Sequence, residues 1–150
     1  EDRFATFIRK PRIRCTERDY WIDIVVAGDR HLDLRATELS CLVALTTEAL
    51  ESYVHEVIDG GVVISIAPLQ SDRELRRYVL PLEKAATDEN QIELIAIAAL
   101  GALITATEVV SARALESALM VRVAGIEEEY YTSALQWGLN SFREAFGWQR

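Results

Sequence analysis

The sequence predicts an α/β fold: an open, mostly parallel sheet with covering helices and a C-terminal helical segment. Three observations lead there. SCLVAL (40–45) and VVISIA (62–67) are short runs apolar on both faces, and a helical pattern lies between them. Strands of that kind belong to parallel sheets covered by helices. The stretch LIAIAALGALITAT (94–107) carries no charge and is closed by Glu93 and Glu108. The residues beyond it keep helical periodicity almost to the end of the chain.

In chain order, a single α/β domain over 1–150 is expected, with a strand-rich part (1–38), a strand–helix–strand unit (39–66) and a helical part (89–145). In the first part Ile22, Ile24 and Val26 alternate along a strand that ends at the turn Ala27-Gly28-Asp29. A shorter extended piece, at Phe4–Ile8 or Ile13–Cys15, is its expected pairing partner. In the second part Thr46 or Thr47 caps a helix TEALESYVHEVI, and Asp59-Gly60-Gly61 stops it before VVISIA. A strand–helix–strand unit of this kind predicts a right-handed crossover. The polar connection Pro68–Asp88 is expected to hold a helical turn over Asp72–Tyr78 and a short strand near Tyr78–Leu80. Three helices follow at about 90–107, 112–122 and 127–145. Asp88 with Gln91 reads as a capping box, Ser111 as an N-cap and Gly125 as a stop. Glu127, Glu128 and Glu129 suit the positive end of the last helix, whose inner stripe is Tyr131, Leu135, Gly138 and Phe142.

The run 94–107 is too short to cross a bilayer, which takes about 20 apolar residues. Its small residues Ala96, Ala98, Ala99, Gly101 and Ala102 make a smooth surface. A neighbouring backbone can therefore approach closely, with Ala96, Gly101 and Ala102 as the expected points of close helix packing. Half of the residues are hydrophobic and 27% are charged, a globular balance. The net charge of -8 argues against nucleic acid as a partner, because phosphate neutralisation needs a basic surface. Arg9, Lys10, Arg12 and Arg14 give a basic N-terminal patch or a solvated edge. Cys15 and Cys41 lack metal-ligand spacing and read as free thiols in a reducing cytoplasm, with one disulfide as the alternative. The chain opens at Glu1 without a signal-peptide pattern, so a mature fragment, a crop and a domain cut from something longer are the readings of its start.

Motifs of chemistry are few. His31 and His55 fall in no HxxxH or HExxH pattern, and His55 reads as a solvated helix residue. Gly60-Gly61 precedes a strand, whereas a phosphate loop follows one. Neither GxGxxG nor GxxxxGK[ST] occurs, and no serine or cysteine stands in a nucleophile pattern. Arg73 and Arg77, four apart on the expected helical turn near Arg76, are candidate contacts for a small anion. No catalytic, cofactor-binding or metal-ligating residue is singled out.

From Leu39 the order of motifs resembles the gamma-type subunits of 2-oxoacid:ferredoxin oxidoreductases, of the pyruvate, ketoisovalerate and indolepyruvate type. LSCLVALTTEALESYVHEVIDGGVVISI is similar to the family's strand, "EAL" helix, "GG" and apolar strand. Leu100-Gly101-Ala102 resembles its "LGA" helix. Leu115-Glu116 with Ala118-Leu119 resembles its serine-capped helix, and Tyr130 to Ala145 its final helix. The likeness covers roughly 39–145, and WIDIVVAGDRHLD is similar to an upstream family strand. The chain lacks the family's N-terminal GxGGQG unit and the "RGG" before that strand, and Ala96 stands where asparagine is common. The resemblance implies an accessory, architectural, non-catalytic component of a cytoplasmic complex. Thiamine diphosphate and iron–sulfur clusters would sit on partner chains. A stand-alone homo-oligomeric module that binds a small anion is the competing expectation, and an enzyme whose chemistry the sequence does not display is a third.

Overall fold

The β-branched and apolar runs of the sequence form strands where the alternation places them. In the computed structural model, described for residues 4–8, 23–27, 38–85, 92–123 and 128–147, they fall into two compact units, Glu1–Thr37 and Glu38–Arg150. In the first unit β1 (Phe4–Ile8) and β2 (Asp23–Ala27) pair antiparallel, with Phe4 opposite Ala27 and Ile8 opposite Asp23. The first of the two expected partners for the 22–26 strand is therefore the one used. Ile13–Cys15 and the turn at Gly28-Asp29 lie outside the described residues.

The second unit is built on β3 (Leu39–Ala44), β4 (Val57–Ser65) and β5 (Arg76–Val79), an open sheet in the order β3-β4-β5 with both pairings parallel. Between β3 and β4 lies α1 (Thr47–Tyr53). The Thr46 side chain accepts a 3.1 Å hydrogen bond from the Ala49 amide and so caps α1. The helix is shorter than the sequence pattern predicts. It tightens into a 3-10 turn over Val54–Glu56, and Val57 already opens β4. Val57 and Ile58 are β-branched and favour the extended backbone, so tertiary pairing ends the helix before the glycines are reached. Gly60-Gly61 is consequently part of a strand and does not stop α1.

The helical turn expected over Asp72–Tyr78 is also absent. Arg76–Val79 forms β5, whose residues align with Val62–Ser65 of β4. A 3-10 turn at Leu82–Ala85 follows, then α2 (Ile92–Thr107), α3 (Ala112–Arg122) and α4 (Glu128–Phe146). The Ser111 hydroxyl caps α3 by accepting from the Ala114 amide. Asp88, Gln91, Gly125 and Glu127 lie outside the described residues.

Strand alternation divides the core between the two faces of the sheet. Val62 and Ile64 of β4 pack with Ala98, Ala99, Ala102 and Ala106 of α2 and with Phe142 of α4. On the other face Leu42, Ala44, Val57 and Val63 meet Leu50 of α1. A sheet buried on both faces explains why its strands read as continuous apolar runs. Ile104, Leu119, Leu135 and Leu139 form a further cluster that ties α3 to α2 and α4. Among the described residues no helix is long and apolar enough to cross a membrane.

Candidate functional site

Two features of the second unit gather the residues that the sequence singles out. The first is the contact between α2 and α4. Buried small residues face each other there, and a side chain on either glycine would strike the opposite backbone. A Cβ on Gly101 would lie 2.7 Å from the Leu135 carbonyl oxygen and 3.0 Å from the Leu139 amide nitrogen. One on Gly138 would overlap the Ala98 carbonyl outright. Ala102 is fully buried beside this contact, whereas Ala96 is half-buried. The buried Thr105 hydroxyl donates a 2.9 Å hydrogen bond to the Gly101 carbonyl, so this hydroxyl is not stranded in the apolar layer. At the edge of the contact the Tyr131 hydroxyl donates to the Glu93 carboxylate.

The second feature is a bulge in β4. Leu39 aligns with Val57, and Cys41 with Val62, so residues 58–61 stand against Ser40 alone. The protruding backbone is held by arginines. Arg73 donates from Nε and Nη2 to Asp59 Oδ1, at 3.3 and 3.1 Å, and from Nη1 to the His55 carbonyl at 2.9 Å. Arg76 donates to the Gly60 carbonyl at 3.0 Å, and the Gly60 amide donates to the Glu74 carbonyl at 2.6 Å. Arg77 donates instead to the Leu69 and Ser71 carbonyls, at 3.2 and 3.3 Å. Arg73 and Arg77 thus do not share a helix face: Arg73 precedes β5, Arg77 lies within it, and each guanidinium already has protein acceptors. The Arg73–Asp59 pair joins residues 14 apart in sequence, and no local pattern announces it.

The remaining candidates are scattered. Cys41 is a free thiol in β3, and burial pushes its pKa from 9.0 to about 12, with the Arg76 charge pulling weakly the other way. A thiol so protonated is a poor nucleophile. His55 is exposed in the 3-10 turn, its Nε2 3.9 Å from Glu56 Oε1. Cys15 and His31 lie outside the described residues. Glu128 and Glu129 are exposed in the first turn of α4. Among the described residues no group of three or more His, Cys, Asp or Glu could hold a metal ion. What the site offers chemically is shape: a smooth helix contact, a sheet with short edge strands and a braced bulge.

No family model matches the sequence. It is 30% identical over 113 residues to the 2-oxoglutarate synthase subunit KorC of Methanocaldococcus jannaschii. That match takes in 70% of this chain and spans 60% of the relative's length. The fold superposes with a TM-score of 0.80 on the gamma subunit of a keto/oxoacid ferredoxin oxidoreductase from Geobacter sulfurreducens, at 22% identity, covering 95% of this chain and 82% of that one. The pyruvate oxidoreductase subunit PORC of Thermotoga maritima gives a TM-score of 0.70 at 15% identity, over 93% of this chain and 80% of the other. A 2-oxoglutarate:ferredoxin oxidoreductase from Magnetococcus marinus gives 0.76 at 17% identity. There 93% of this chain corresponds to 26% of that one, so the same fold is one part of a much longer polypeptide.

Proposed function

We propose that this chain, a relative of the gamma-type subunits of 2-oxoacid:ferredoxin oxidoreductases, is an accessory, architectural component of such a complex. The observation that carries the reading is the sequence relationship to a 2-oxoglutarate synthase subunit. Its sheet and helices present surfaces that hold catalytic chains, and the thiamine diphosphate and iron–sulfur clusters belong to those partners. The complex works in the cytoplasm. Within it Arg73, Arg76 and Arg77 serve the fold, since their guanidinium groups are already held by oxygens of the chain itself. The Magnetococcus marinus structure supports the reading from another side: there the fold is joined covalently to other parts of an oxidoreductase.

The test is affinity purification of the tagged chain from its native host, followed by mass spectrometry of the eluate. Oxidoreductase chains carrying thiamine diphosphate or clusters, recovered in stoichiometric amount, are the expected result. Recovery of the chain only with itself would overturn the assignment.

A further inference from the structure

We draw no further inference here: the strongest candidate, the edge strand Arg76–Val79 with Val79 exposed and the guanidinium groups of Arg76 and Arg77 beside it, carries nothing because no feature of the structure shows what covers it.

Discussion

Gly101 and Gly138 occupy one contact but do not tolerate change equally. A methyl group at Gly138 falls on the Ala98 carbonyl, while one at Gly101 meets the Leu135 oxygen at 2.7 Å. Backbone cannot yield as a flexible side chain can, so Gly138→Ala costs more than Gly101→Ala. Gly101→Leu overpacks the contact and destabilises by roughly 1–3 kcal/mol. A urea denaturation series reads all three, and an unchanged midpoint in Gly101→Leu would rule out a close contact there. Gly60 is a different case. Its φ is +76°, and nothing lies within 4 Å of the place a Cβ would take, so Gly60→Ala loses only through the left-handed backbone, by about 1–2 kcal/mol. Gly101 was legible in the sequence because it stands in a run of alanines on one helix. The role of Gly60 was not, since a glycine pair looks the same after a helix as inside a bulged strand. Cys41 gives a pH prediction. Its folded pKa of about 12 exceeds the ordinary 9.0, so between those values the native state retains a proton that the unfolded chain releases. The stabilising contribution is therefore complete below about pH 9 and declines toward pH 12. At pH 8 a thiol reagent should modify Cys41 slowly in the native protein and rapidly in denaturant, and equal rates would contradict the burial.

At the scale of the element, caps and pairing divide the work. α3 has a mixed pattern, and at its start the Ser111 hydroxyl accepts from the Ala114 amide at 3.2 Å while Ala112 and Leu115 pack against the cluster shared with α2 and α4. Ser111→Ala should destabilise by about 1 kcal/mol, as loss of an N-cap does, and calorimetry of the variant against the parent measures it. The Ser111 start of α3 and the described spans of α2 and α4 were visible in the sequence because capping and periodicity act locally. The errors came where pairing with a distant strand decides. TEALESYVHEVI keeps a helical stripe through Val57, but β3 needs Val57 opposite Leu39, and the helix yields. The stretch 72–78 has a plausible helical spacing of arginines, but Arg76–Val79 satisfies its backbone against Val62–Ser65. Local propensity is a weak prior against a ladder of hydrogen bonds whose other half lies elsewhere in the chain.

For the molecule as a whole, charge and ancestry set the expectations. With a net charge of -8 the chain should pass a heparin column at about 0.1 M salt without retention, because a polyanion gains nothing from an acidic surface. Retention would reveal a basic face strong enough to reopen the question of partners. The family likeness was legible from the order of several weak motifs along 39–145, and the oxidoreductase relatives agree with it. The site was less legible. Its tight helix contact followed from small residues, whereas the arginine-braced bulge depends on which carbonyls the fold brings to residues 73–77.

The burial of α2 has a practical consequence. Ala98, Ala99, Ala102 and Ala106 are all but sealed between the sheet and α4. Their amides should exchange with deuterium only when the whole second unit opens, making them the slowest clock in the chain. A partner that binds the native form and not the unfolded one must slow that clock in proportion to its occupancy, wherever on the surface it docks. Deuterium retention in this helix can thus weigh candidate subunits one at a time, before anything is known of where they bind.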